Sequence, residues 1–358
     1  HLALEAEIGG YEAEALQAEA IANFYPAVAR LLNAQPRNIA FEASATDAYN
    51  KALSAIPFEP GDTLLTTDDD YISNQLAFLF LQKRLKINVI RAAKLPEGGV
   101  DAQSMQELMD VHQPKLVAVT HVPTNSGLVQ DVHSIGKLCR ERGIWYLVDA
   151  CQSAGQMPLD VQAIGCDFLS ATMRKWLRGP RGAGFLFASD RVLEIGLEPF
   201  CPDMAGANWV GANRYQILEN ARRFEYWEKP YALLLGSKVA VEYVLELGLE
   251  GIEKRVTALA DLARQQLSAL PGVRILDRGE RQCGIVTVAV ENCDGAELKQ
   301  ALLAANVNVS ISMREFAVID FDEKGVKWAL RMSPHYFNTP DEIGQATAAL
   351  GDFLRSKS

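Results

Sequence analysis

The chain has 358 residues, 49% of them hydrophobic and 8% aromatic, and its 45 acidic against 35 basic residues leave a formal charge of −10. That length exceeds a usual single domain and supplies ample apolar material, so a larger domain with a smaller companion is expected. The acidic balance disfavours nucleic acid or an anionic membrane as partner, and no apolar run reaches the ~20 residues needed to span a bilayer. Six cysteines (Cys139, Cys151, Cys166, Cys201, Cys283 and Cys293) stand apart, with no C-x-x-C pair and no histidine at zinc-ligand spacing. Scattered thiols of this kind suit a reducing, cytoplasmic setting and core packing, and no metal site is expected.

From Leu2 to Leu32, apolar residues recur at helical intervals with one interruption at Gly9-Gly10, which predicts two helices packed on a larger body. A short strand from Asn38 to Phe41 then meets Ser44-Ala45-Thr46-Asp47, small and polar residues that open a helix running to Ile56. Such a start presents free backbone N–H groups at the positive end of a helix dipole, an anion site suited to a phosphate; an ordinary N-cap at Ser44, Thr46 or Asp47 explains the same residues. Strands are predicted at Asp62 to Thr67, Lys86 to Ile90, Leu116 to His121 and Trp145 to Asp149, alternating with helices at Ile72 to Arg84, Ala102 to Val111 and Val132 to Arg142. This alternation predicts an α/β fold, a mainly parallel sheet between helices, whose ligands gather at the carboxyl ends of the strands. Asp47, Tyr71, Thr124, Asn125, Asp149 and Gln152 all fall just past such ends.

After Phe187 comes a helix-poor, aromatic-rich span from Pro199 to Tyr231, which reads as a pocket wall, a subunit contact or a packed surface excursion. A helix from Ala232 to Leu247 leads to Gly251, where the boundary falls: residues 1–250 form the large domain and 251–358 the small one. The latter reads as helix (Ile252 to Leu270), strands (Val273 to Leu276 and Ile285 to Val290), helix (Gly295 to Ala305), strands (Val307 to Ile311 and Lys327 to Met332) and a closing helix (Pro340 to Arg355).

Two residues carry the chemistry. Asp149 ends the apolar run Trp145-Tyr146-Leu147-Val148, and Lys175 follows a second such run, Phe168-Leu169-Ser170. A carboxylate and an amine on rigid strand ends are what pyridoxal phosphate needs: an amine to condense with its aldehyde and a carboxylate to keep its pyridine nitrogen protonated. Gly179 to Gly184 lacks the spacing of a dinucleotide fingerprint and serves better as the turn after the lysine. The basic residues Arg174, Lys175, Arg178 and Arg181 make no nucleic-acid stripe against the net charge.

With these residues in order, the sequence resembles the class V aminotransferase group of pyridoxal-phosphate enzymes, the fold-type I set that includes cysteine desulfurases and isopenicillin N epimerase. Asp149-Ala150-Cys151-Gln152-Ser153-Ala154-Gly155 is similar to the family's D-x-x-Q-S-x-G, and Thr172-Met173-Arg174-Lys175 stands where S-x-H-K is usual. Ser44-Ala45-Thr46-Asp47 resembles the G-A-T-E phosphate turn, His121 to Gly127 the turn that touches the ring oxygen, and Ala329-Leu330-Arg331-Met332-Ser333 the late L-R-x-S.

The resemblance implies a pyridoxal-phosphate transferase fold with a seven-stranded type of sheet and a small α+β domain, working as a homodimer on an amino-acid substrate. It implies Lys175 as the cofactor lysine, Asp149 at the pyridine nitrogen, Tyr71 stacked on the ring, and Gln152 with Thr124 or Asn125 on the ring oxygen. Ala45, Thr46, Asp47 and Thr172 would serve the phosphate end, and Arg174 would join the cofactor-binding set. Arg331 would clamp the substrate carboxylate, with His335 beside it as a supporting group.

Desulfurases need a mobile cysteine in the loop before the arginine strand, and Asn306 to Lys327 has none. Together with Arg174, Thr172 and Arg223-Phe224-Glu225-Tyr226-Trp227-Glu228, this resembles the branch of isopenicillin N epimerase-like proteins and hercynylcysteine sulfoxide lyases. Where many relatives carry Gly-Thr after R-F-E to reach a neighbouring subunit's phosphate, this chain has Tyr226-Trp227. The expected reaction is carbon–sulfur β-elimination from a cysteine-derived amino acid, sulfoxides among them, giving pyruvate and ammonia. Epimerisation, with Tyr71 or His335 as a second acid, and transamination share its early steps, and a non-catalytic binding protein would be colourless.

Overall fold

The computed structural model describes residues 1–357. Seven strands, β1 (Ile39–Glu42), β2 (Thr63–Thr66), β3 (Asn88–Arg91), β4 (Leu116–Thr120), β5 (Trp145–Asp149), β6 (Phe168–Thr172) and β7 (Gly184–Ala188), build one sheet in the order β1-β7-β6-β5-β4-β2-β3. The run β3-β2-β4-β5-β6 is parallel, and β7 lies antiparallel between β6 and β1.

Side chains alternate across this sheet and feed two cores. On one face lie Leu65, Val117, Val119, Tyr146, Val148, Leu169 and Phe185, packed with helices Phe24–Leu32, Ala102–His112, Val132–Arg142 and Tyr231–Leu247. The other face carries Leu64, Leu116, Ala118, Trp145, Leu147, Phe168 and Leu186 against helices Ala45–Ala55, Ile72–Leu85 and Asp190–Ile195. Burial on both faces is why the central strands read as unbroken apolar runs rather than alternating ones.

After a hairpin of β8 (Ala207–Gly211) and β9 (Arg214–Ile217) the chain builds a second, four-stranded antiparallel sheet. Its strands are β10 (Val273–Ile275), β11 (Val286–Val290), β12 (Ser310–Met313) and β13 (Trp328–Met332), in the order β10-β11-β13-β12. Helices Leu249–Ser268 and Pro340–Lys357 close its core.

Two expectations are corrected. The opening forms four short helices, Leu2–Ile8, Gly10–Leu16, Ala18–Ala22 and Phe24–Leu32, not two. Gly9 at φ 99° breaks the first, and Gln17 and Asn23 interrupt the rest; only the last helix buries most of its residues. The strand expected at Val307 to Ile311 begins three residues later. Asn306 turns left-handed at φ 60° and Val307 N–H bonds back to Leu302 O, so the preceding helix consumes these residues in its termination. The stretch from there to β13 is also ordered, with a 3-10 turn Arg314–Phe316 and a helix Val318–Lys324. Among the described residues no helix is long and apolar enough to cross a membrane, and no cluster of His, Cys, Asp and Glu could hold a metal ion.

Candidate active site

The parallel strands end together, and the loops beyond them line one cleft of about 450 Å³. Its walls come from the Ser44-Ala45-Thr46 turn, Tyr71 after β2, Thr120, Val122 and Thr124 at the end of β4, Asp149, Cys151 and Gln152 at the end of β5, and Thr172, Arg174 and Lys175 at the end of β6. This is the crevice where a doubly wound sheet binds ligands.

Asp149 is buried, and two donors fix its carboxylate. Cys151 N–H donates to Oδ1 at 2.8 Å and Asn74 Nδ2 donates to Oδ2 at 3.0 Å. Lys175 also stands in the cleft, and its amine makes no hydrogen bond among the described residues. Burial pushes its pKa below the ordinary lysine value; Arg174 and Arg331 add to that shift, and Cys151 and Asp149 oppose it. Arg174 is therefore a secondary cause, behind loss of water.

The turns that carry these two residues interlock at Gly155. Its φ is +93°, and an added Cβ would stand 2.6 Å from Leu177 N and 2.7 Å from Trp176 C, in the chain just after the lysine. Gly155→Ala should therefore cost at least ~2 kcal/mol from positive φ and backbone overlap together. Denaturant unfolding of the apoprotein checks this; an unchanged midpoint would mean the two turns are not packed as described.

At the other end of the cleft Ser44 caps helix Ala45–Ala55, its Oγ accepting from Asp47 N–H at 3.1 Å. The ordinary N-cap is thus present, and it coexists with first-turn amides at Ala45 and Thr46 that have no intrahelical acceptor. Gly184 lets β7 approach this turn closely: a Cβ there would lie 3.0 Å from Ala45 N. Thr172 Oγ1 donates to Ala183 O at 3.4 Å, and Arg174 lines the cleft with its guanidinium free of ion pairs among the described residues.

Gln152 Nε2 donates to Thr124 Oγ1 at 3.4 Å, and Thr124 O in turn accepts from Arg331 Nη1 at 2.9 Å. Arg331 thus reaches from β13 of the small sheet to the β4 loop. Its Nε is buried without a partner, and burial, then Arg174, pulls its pKa down.

Four of the residues picked from sequence stand outside the cleft lining: Arg331, which reaches the back of the β4 loop, and Asp47, Asn125 and His335. Asp47 pairs with Lys51 at 3.3 Å. Asn125 turns its Nδ2 to Phe316 O at 3.2 Å, which leaves Thr124 as the polar residue of that turn that lines the cleft, beside the apolar Val122. His335 is sandwiched between Trp176 and Phe337, with ring centroids 5.0 and 4.6 Å away, and burial and Arg178 push its pKa down to about 4. Sequence reasoning missed Thr120, Val122 and Cys151 in the lining, and Asp70 and Asn74 behind Asp149. Thr120 closes an apolar strand run and was open to the strand-end argument; nothing in Cys151's surroundings marked it.

Pyridoxal phosphate fits this donor set. An unblocked amine, a fixed carboxylate, an aromatic ring at Tyr71 and a small-residue helix start beside a free guanidinium match its aldehyde, ring nitrogen, ring face and phosphate.

A large mainly parallel sheet carrying a lysine and an aspartate on neighbouring strand ends defines an enzyme of the fold-type I pyridoxal-phosphate class. The family model Aminotransferase class-V matches residues 6–345. A probable cysteine desulfurase of Xylella fastidiosa (strain 9a5c) is 31% identical over 90% of this chain and 78% of its own length. A probable hercynylcysteine sulfoxide lyase of Mycobacterium tuberculosis (strain CDC 1551 / Oshkosh) is 27% identical over 98% of this chain and 84% of its own. The apo structure of a cysteine desulfurase from Thermococcus onnurineus NA1 superposes with a TM-score of 0.89 at 22% identity, covering 96% of this chain and 86% of that one, a likeness of fold. The chain belongs to the class V aminotransferases, enzymes that use pyridoxal phosphate.

Proposed function

We propose that the protein is a pyridoxal-phosphate-dependent carbon–sulfur lyase that eliminates the β-sulfur group of a cysteine-derived amino acid, sulfoxides included, to give pyruvate and ammonia. The observation that carries this reading is the state of the thiols. Residues 306–327, which meet the β4 loop where Phe316 O accepts from Asn125, hold no cysteine. The one thiol in the cleft lining, Cys151, is pushed far above its ordinary pKa by burial and then by Asp149, so it stays protonated and is no nucleophile. A persulfide route needs a thiolate that can take up sulfur; elimination does not.

Bound in the cleft, the cofactor supplies an aldehyde that condenses with amines and a protonated ring that draws electrons from the substrate α-carbon. Lys175 would hold that aldehyde, and its Nζ, freed and neutral, would accept the substrate α-proton. Asp149, its carboxylate fixed by Cys151 N–H and Asn74, would face the ring nitrogen. Tyr71 would cover a ring face, Gln152 and Thr124 would meet the ring oxygen, and Ala45, Thr46, Thr172 and Arg174 would hold the phosphate. Arg331 grips the α-carboxylate; its unpartnered Nε and its position at the β4 loop suit a bidentate grip. His335 supports Trp176 from behind and does not reach substrate. We assign residues 1–250 to the large domain and 251–358 to the small one. We propose a homodimer, for whose contact the exposed aromatics Phe200, Trp209, Tyr226 and Trp227 are candidates.

Product analysis separates this reading from its neighbours. A cysteine S-conjugate sulfoxide should yield pyruvate and ammonia in equal amounts, and cysteine should not yield alanine; alanine with enzyme-bound sulfur would establish desulfuration and reject the lyase. The pH profile is a second check. Lys175 acts as a base when neutral, so kcat should rise with pH through a pKa below the ordinary lysine range, and at saturating cofactor Arg174→Gln should move that limb to higher pH. A limb unmoved by the substitution would remove Arg174 from the electrostatics of the base.

A further inference from the structure

Behind Asp149 lies a second buried carboxylate that the reaction as described does not use. Asp70 stands between β2 and helix Ile72–Leu85, and its Oδ1 accepts from Tyr71 N–H at 2.7 Å, from Asn74 Nδ2 at 3.0 Å and from the Thr120 hydroxyl. Its Oδ2 accepts from Gln75 Nε2 at 3.0 Å and Thr66 Oγ1 at 3.5 Å. The same Asn74 amide nitrogen donates to Asp149 Oδ2 at 3.0 Å. An amide NH2 has two hydrogens, and the two shortest contacts of Asn74 Nδ2 bridge the carboxylates, with Thr120 Oγ1 a longer third acceptor at 3.4 Å. Thr120 lies opposite Asp149 in the β4–β5 register and gives its hydroxyl to Asp70. Tyr49, from helix Ala45–Ala55, is buried with its hydroxyl unpartnered, and both carboxylates act on it electrostatically.

Resting on the reading of Asp149 as the ring-nitrogen partner, we propose that Asp70 is a positioning residue. Through Asn74 and Thr120 it fixes the Asp149 carboxylate, and its own proton sets how much negative charge the pair presents to the cleft. Two carboxylates this close, cut off from water, do not ionise independently. Burial, then the charge of Asp149, raises Asp70 against the opposing bonds from Thr120 and Asn74, to about 6. The groups around it are Asp149 from β5, Tyr49 from helix Ala45–Ala55, and Thr66, Thr120, Asn74 and Gln75. Farther off, Gln75 is held by Arg91, which pairs with Asp68 at 3.6 Å, and Asp69 pairs with Lys94 at 3.7 Å. No cation touches Asp70 directly, so its charge is not neutralised by a partner. Above its titration Asp70 adds negative charge behind Asp149 and the ring nitrogen's proton is held more firmly; below it that added charge is lost.

The test compares wild type, Asp70→Asn, Asp70→Glu and Asp149→Asn, each loaded with pyridoxal phosphate. The readouts are the visible spectrum of the bound cofactor from pH 5 to 8 and the cofactor's affinity for the apoprotein. Wild type should show a spectral transition near pH 6; Asp70→Asn should lose it and bind the cofactor several-fold more weakly, and Asp70→Glu should restore a displaced transition. In turnover, Asp70→Asn should lower kcat about tenfold with KM unchanged. If Asp149→Asn abolishes tight binding while Asp70→Asn keeps the wild-type pH transition, the inference about Asp70 is overturned and Asp149 stands. If Asp149→Asn leaves spectrum and affinity untouched, the reading of Asp149 fails and takes the inference with it. A lower melting temperature in Asp70→Asn with an unaltered transition would make the residue purely structural and would also overturn it.

Discussion

Lys175→Ala is expected to lower kcat/KM for β-elimination by about 10⁴-fold, the upper end of what a positioned general base contributes, because the same nitrogen both holds the cofactor and moves the α-proton. No other amine lines the cleft, so no neighbour can take over. The variant should still bind pyridoxal phosphate, since Asp149, Tyr71 and the helix start at Ala45 remain, but the bound cofactor should wash out on dialysis. A small primary amine in the buffer should recover part of the rate. Turnover at the wild-type rate would show that the α-proton goes to some other group.

Arg331→Ala is the second large effect. It removes a guanidinium carried from the small sheet to the β4 loop beside the cleft, and with it a charge-assisted hydrogen-bonding pair worth about 1.5–3 kcal/mol. KM for the amino acid should rise on the order of 10- to 100-fold, with cofactor affinity nearly unchanged because Arg331 contacts the β4 loop and not the phosphate end. Arg331→Lys should recover charge but not the fork, and so should sit between. An Arg331→Ala enzyme with wild-type KM and a weakened hold on cofactor would place the arginine at the phosphate.

Much of this architecture could be read from residues alone because burial on both sheet faces imprints itself as apolar runs. Trp145-Tyr146-Leu147-Val148-Asp149 is the clearest: four apolar residues divide between two cores and the fifth, a carboxylate, marks the strand's end. The site followed from the same logic, since chain order and strand ends together bring Tyr71, Thr124, Asp149, Thr172 and Lys175 to one crevice. What could not be read were side-chain directions within turns. Thr124 and Asn125 are neighbours in one turn, and only the backbone path sends the first into the cleft and the second to Phe316. His335 beside Ser333-Pro334 has the composition of a substrate contact, yet a stack of rings with Trp176 and Phe337 holds it away. The Asp70–Asn74–Asp149 relay was hidden for a further reason: its members come from two strand ends 75 residues apart, and no local pattern links them. The late start of β12 has a local cause, a left-handed Asn306 that residue preference alone does not announce.

The most direct test of the central claim is proton NMR of the cofactor-loaded enzyme with a cysteine S-conjugate sulfoxide in deuterated water. The lyase account predicts that the substrate's α-proton signal disappears in step with the growth of pyruvate. Loss of the α-proton with no pyruvate would contradict it: the base would be working while the sulfur group stayed in place, and the chemistry would be that of an epimerase or an aminotransferase.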